Sequence, residues 1–97
     1  WTEVEDLLKR YDSKLDIHIS GDILWIDNFE VAKTLRKQGT GTTLVRSIEN
    51  AARSNGIKRI RLWVANTGSG RSHHFWEVMG YSYDDPDGAD WYMSKQL

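Results

Sequence analysis

No cysteine occurs among the 97 residues, which removes disulfides, thiolate zinc sites and any thiol nucleophile together. A reducing, cytoplasmic setting is therefore expected. Proline appears once, and no biased tract stands where a linker or disordered arm would be read. The chain also lacks the roughly 18 consecutive apolar residues that a membrane span needs. No membrane partner is expected. A net charge of −1 gives no overall pull on nucleic acid, so a nucleic-acid role built on Lys58, Arg59 and Arg61 is disfavoured. The sequence opens on Trp1 rather than methionine, which leads to the expectation that N-terminal elements of a longer protein are truncated.

What is present is the composition of an ordinary globular protein, 39% apolar and 28% charged. One domain spanning residues 1–97 is expected, hiding roughly two-thirds of its unfolded surface around one core. Thr2 and Glu5 make a T-x-x-E capping box. Behind it Val4, Leu7, Leu8 and Tyr11 recur at the spacing of an amphipathic helix. In "KLDIHIS" Leu15, Ile17 and Ile19 alternate with polar residues, and Gly21-Asp22 turns the chain into "ILWIDNFEV", predicting a two-stranded hairpin. The second strand is apolar on both sides, which predicts a central strand covered above and below.

Next come "RKQGTGTTL" and a helical stripe of Leu44, Val45, Ile48, Ala51 and Ala52, stopped by Asn55-Gly56. "KRIRLWVA" then reads as a strand, parallel to its predecessor across this βαβ unit. A second helix places Phe75, Val78 and Met79 on one face and ends at Gly80, and "YSY" with "DWYMSK" forms a closing hairpin. Trp63, Trp91 and Tyr92 are expected to pack into the fold.

A strand running through a glycine pair into a helix is a phosphate-binding arrangement, because the first-turn N–H groups are unpaired and the helix dipole favours an anion. Two common loops are excluded by the residues present. No Gly-Lys pair occurs, so this is not a P-loop. Leu44 stands where the dinucleotide fingerprint has its third glycine.

The motif that does match is R-x-x-G-x-G, carried by Arg36, Gly39 and Gly41. With "FEVAKTL" before it, Asn66 after the following strand and "FWEVMGY" closing the next helix, the chain resembles the GNAT acetyltransferase superfamily over about residues 15–97. The resemblance implies an α+β GNAT-like acyltransferase fold, a central mixed twisted sheet flanked by helices. It implies an N-acetyltransferase that binds acetyl-CoA and passes the acetyl group to a primary amine by direct attack in a ternary complex. No metal is expected. The pyrophosphate would lie on the amides of Gln38, Gly39, Thr40, Gly41 and Thr42 with Arg36 beside it. Lys37 and Arg71 would serve other phosphates, the pantetheine arm would bond near Phe29 and Val31, and Asn66 would complete the cofactor-binding set.

The catalytic set is less regular. Where many members of the family carry a glutamate base, this chain has Trp25, and Trp76 replaces the usual acid tyrosine. Asp27, on the face of Trp25, is the expected base, with Glu30 on the other face behind it. Water, His73 or His74 would protonate the thiolate. Four aspartates at positions 84, 85, 87 and 90 point to a cationic acceptor, a small molecule such as a polyamine or a protein lysine. The reduced size of the chain suggests an acceptor site left open to a macromolecule or completed by a homodimer partner. A non-catalytic acyl-CoA-binding or regulatory module is the rival reading.

Overall fold

The computed structural model describes residues 1–32, 39–64, 72–85 and 91–97. Helix α1 (Thr2–Arg10) leads to β1 (Lys14–Ser20) and β2 (Ile23–Glu30), then α2 (Thr40–Ser54), β3 (Arg59–Trp63), α3 (Ser72–Val78), β4 (Ser82–Tyr83) and β5 (Tyr92–Gln96). The strands form one sheet in the order β1-β2-β3-β5-β4. β2 and β3 are parallel, as the βαβ reading requires, and every other pair is antiparallel. The expected α+β fold with a mixed sheet is therefore present.

Register decides which side chains share a face, because residues paired across strands point the same way. Leu24 pairs with Ile60, Ile26 with Leu62, and Leu62 with Met93. All five are buried and belong to one core with Val4 of α1, Val45, Ile48 and Ala52 of α2, and Trp76 of α3. Among the described residues, all three helices thus pack on the same face of the sheet. Among the described residues, no helix covers the second side of β2, where two covering layers were expected. Its outward residue Trp25 is only half-buried, and its apolar character on that side serves contacts within the open face.

The helix ends reflect local chemistry. At the end of α3 the Gly80 N–H donates to Glu77 and the Tyr81 N–H to Trp76. This closure needs the left-handed φ of +96° that glycine adopts without penalty. The Trp76 and Tyr81 rings then meet at 5.0 Å, the apolar contact that accompanies such a stop. α2 closes the same way, with Gly56 donating to Arg53 and Ile57 to Ala52. The start of α1 differs from expectation. Trp1 is the N-cap, no side chain caps the helix, and Thr2 lies inside the first turn.

Three apolar residues also depart from the packing expected of them. Val78 is exposed, because α3 turns Phe75, Trp76 and Met79 toward the core instead. Trp63 and Trp91 are 47% and 56% exposed. Trp63 pairs with Tyr92 on the side of the sheet that carries no described helix.

Candidate active site at the end of a parallel ladder

The β2–β3 ladder runs from Ile23↔Arg59 to Ile26↔Leu62 and stops there. β2 nevertheless continues to Glu30, paired only with β1. Among the described residues, nothing pairs with β2 past Ile26 on the β3 side, and the Gly41 end of α2 lies next to Val31, just past the end of β2.

At the start of α2 the two loop glycines turn out to do different work. Gly39 is the N-cap at φ +77° with nothing within 4 Å of where a Cβ would stand. Its need is conformational, and no described atom stands near that position. A Cβ on Gly41 would meet the Phe75 ring at 3.1 Å, so here what approaches the backbone is α3. The N–H groups of Thr40, Gly41 and Thr42 have no intrahelical acceptor by position, and no acidic residue stands in the first turn. Thr42 is exposed, whereas Thr40 is buried. Among the described residues no acidic side chain neutralises this helix start, an arrangement that suits an anion. Arg36, Lys37, Gln38, Asn66 and Arg71 lie outside the described residues.

Phe29 lies on the core side of β2, its ring meeting Trp76 at 5.8 Å, and Val31 comes just past the strand's end. Trp76 also contacts Phe75 and Tyr81 edge-on. The residue at the family's acid position is thus the centre of a buried aromatic cluster.

On the open face lies a continuous chain of contacts. The His18 ring stacks on Trp25 at 5.8 Å and 4°, Trp25 meets Tyr92 edge-on, and the Arg61 guanidinium lies 4.6 Å from both of those rings. Arg61 Nε donates to Asp84 Oδ2 at 2.5 Å, and Ser94 Oγ donates to Asp84 Oδ1 at 2.5 Å. Asp84, one of the four aspartates expected to attract a cationic acceptor, is therefore engaged by an internal arginine. Asp87 and Asp90 lie outside the described residues.

Of the expected catalytic residues, Asp27 contacts His18 Nδ1 at 2.6 Å. Asp27 is skipped in the β1–β2 register, which passes from Ile17↔Ile26 to Asp16↔Asn28. It is the extra residue of a β-bulge. The bulge reverses the parity of the rest of β2, so Phe29 joins Leu24 and Ile26 on the core side. Glu30, expected on the opposite face from Trp25, stands on the same one, paired with Lys14. His74 is exposed on α3, in the helix layer across the sheet from Asp27 and Glu30. The structure thus brings the two carboxylates to one face and separates both from His74.

Sequence reasoning missed His18, Arg61 and the buried Glu49. His18 could have been found: counting outward from the Gly21-Asp22 turn places it opposite Trp25. Glu49 sits in a helical stripe otherwise small and apolar. It is 1% exposed, accepts from Tyr81 Oη at 3.0 Å and from Lys95 Nζ at 3.1 Å, and has Arg46 at 3.6 Å. Burial, and then the Glu49 carboxylate, push the Tyr81 phenol far above its ordinary value.

A model of the acetyltransferase (GNAT) family matches residues 7–81. The chain belongs to the GNAT acetyltransferase family. No curated protein matches it in sequence. Among solved structures, it is similar to the PaiA N-acetyltransferase of Thermoplasma acidophilum in complex with coenzyme A, at 22% identity and a TM-score of 0.76, covering 88% of this chain and 53% of that one. The ribosomal-protein-S18-alanine N-acetyltransferase of Escherichia coli matches at 17% identity and a TM-score of 0.70, over 88% of this chain and 61% of that one. This GNAT chain therefore spans only about half to two-thirds of those enzymes. The anti-CRISPR protein AcrVA5 is nearer in extent, at 26% identity and a TM-score of 0.69, with 86% of this chain and 88% of that one covered. No described helix of this family member is long and apolar enough to cross a membrane.

Proposed function

We propose that this GNAT domain transfers the acetyl group of acetyl-CoA to a primary amine by direct attack in a ternary complex. The observation that carries the reading is that the β2–β3 ladder ends at Ile26↔Leu62 while β2 runs on to Glu30, ahead of a helix whose N-cap Gly39 has no described atom near its Cβ position. One arrangement supplies a strand edge for an amide-bearing arm and unpaired N–H groups for its diphosphate. Gln38 to Thr42 would hold the diphosphate with Arg36 beside it, Lys37 and Arg71 would meet the remaining phosphates, and Asn66 would complete the site. The arm would bond near Phe29 and Val31. That a similar chain is known in complex with coenzyme A supports the choice of cofactor.

The acceptor reads as a cationic amine, carried by a small molecule or a protein. Support for a macromolecular acceptor comes from the open sheet face, which among the described residues has no helix over it. A homodimer would be a second way of closing that face.

The deciding experiment is calorimetric titration with acetyl-CoA and with coenzyme A, on the unsubstituted protein and on Arg36→Ala and Gly39→Val. Binding to the unsubstituted protein that is lost in both variants is the expected result. Absence of binding by the unsubstituted protein would sink the reading. Binding without thiol release in the presence of any amine would favour the non-catalytic acyl-CoA module, to which Trp25 and Trp76, at the family's base and acid positions, already lend support.

A further inference from the structure

We propose that His18, held by Asp27, is the general base that deprotonates the acceptor amine; the inference rests on the acetyltransferase reading above. Its starting point is the β-bulge. An extra residue in one strand of an antiparallel pair re-aims a side chain. Here that residue is Asp27, immediately after the last β2–β3 pair at Ile26↔Leu62. The bulge therefore sets a carboxylate where the β2–β3 ladder ends, on the face opposite the described helices.

His18 is fixed from two directions. Asp27 Oδ2 lies 2.6 Å from its Nδ1, and the Trp25 indole lies parallel to its ring. A carboxylate at Nδ1 selects the tautomer with its proton there, which leaves the Nε2 lone pair as acceptor. Nε2 points away from Asp27 across the ring. The side chains are 55% and 48% exposed, so an approaching amine can reach the pair without displacing protein.

Among the described residues the charged groups on this face are few. β1 contributes Lys14 and Asp16, and β2 contributes Asp27 and Glu30. β3 contributes Arg59 and Arg61, the latter lying over the far side of Trp25 and bonded to Asp84. From β5 comes Tyr92. No described helix packs against this side.

An alkylammonium with a pKa near about 10 is almost wholly protonated at neutral pH and has no lone pair to attack with. His18 Nε2 takes one proton from it and later releases that proton to water. The freed nitrogen forms the C–N bond to the thioester carbonyl carbon as the C–S bond breaks. The nitrogen's second proton leaves with the sulfur, which departs as the thiol. Ammonium and acetyl thioester thus become amide, thiol and one solvent proton. Asp27 touches none of the reacting atoms and acts as a positioning residue, through His18.

The test measures thiol release from acetyl-CoA with spermidine, butylamine and poly-L-lysine as acceptors, alongside calorimetric binding of acetyl-CoA. In His18→Gln we expect kcat with the best acceptor to fall about 100-fold or more, with the Kd for acetyl-CoA and the thermal midpoint unchanged. For the unsubstituted protein kcat/KM falls toward acid, and that limb disappears in His18→Gln. Asp27→Asn lowers kcat with KM for the amine little changed, since the amide no longer enforces the tautomer. His18→Ala regains rate on addition of imidazole. If His18→Gln keeps both its rate and its acid limb, the pair is only a cross-strand contact and the proposal falls. Failure of the unsubstituted protein to bind acetyl-CoA, or to release thiol with any of the three amines, would instead remove the acetyltransferase reading and the proposal with it.

Discussion

The two faces of the sheet each carry an acid, a base and aromatic rings, yet they use them oppositely. On the helix side Glu49 is sealed among Tyr81, Lys95 and Arg46, and Lys95 also donates to the Met79 carbonyl at the end of α3. On the open side His18, Asp27, Arg61 and Asp84 sit in contact with water. A buried carboxylate without partners is costly, so the covered cluster must be complete to exist at all. The open cluster bears no such constraint, and its groups can exchange protons with solvent and ligands. The contrast teaches that charge on the covered face fixes how α2, α3 and β5 dock, while charge on the open face is available for chemistry.

Removing the sealed carboxylate should therefore have the largest effect on stability. Glu49→Ala leaves Lys95 and the Tyr81 hydroxyl without their shared acceptor and is expected to cost about 3 kcal/mol, read from urea unfolding. A loss no greater than that of an exposed ion pair would erase the distinction between the faces. Tyr81→Phe is a milder version, removing one hydrogen bond to a charged acceptor for about 1.5 kcal/mol. It also carries a pH signature. Because burial and Glu49 raise the Tyr81 phenol above its unfolded value of about 10, its contribution is complete below that pH and is lost as pH rises beyond it. The thermal midpoint of Tyr81→Phe should fall less steeply than that of the unsubstituted protein between about pH 9 and pH 11; parallel curves would show that the phenol is not held neutral by the fold.

Gly41→Ala probes where the helix layer meets the candidate cofactor site. Its Cβ would press on the Phe75 ring, for an expected loss of about 1 kcal/mol. Combining it with Phe75→Leu should cost less than the two changes summed. Strict additivity in that double-mutant cycle would mean that the ring does not constrain the glycine. The smallest effect belongs to the open face. Arg61→Ala breaks the contact with Asp84 and should cost under about 1 kcal/mol, leaving Ser94 still bonded to Asp84. A loss matching that of Glu49→Ala would show that this face too is structural.

Much of the architecture was legible because its signals are local. Alternation marked β1, the Gly21-Asp22 turn marked the hairpin, and the Asn55-Gly56 and Gly80 stops end α2 and α3 where the helical stripes run out. R-x-x-G-x-G and "FWEVMGY" led to the family that the comparison with known proteins then showed. Less of the site was readable. Period-2 counting along β2 put Glu30 across from Asp27, and the count failed because a bulge adds a residue without leaving a mark in side-chain chemistry. The aspartates near the C-terminus looked like an attractant for cations, but Arg61 reaches Asp84 from a different strand. Trp63 and Trp91 looked like core because apolar bulk alone does not say whether a second layer exists to receive it.

What the sequence by itself determined is the order and type of the elements, the glycine-led start of α2 and the family, since each rests on residues within a turn or two of one another. Only the tertiary structure decided that all the described helices share one face, that the β2–β3 ladder ends at Ile26↔Leu62 while β2 runs on, and that Asp27 meets His18 rather than standing alone. Those outcomes depend on register between strands and on which face a layer covers. Both are set by packing among residues far apart in the chain, where no local pattern records the choice.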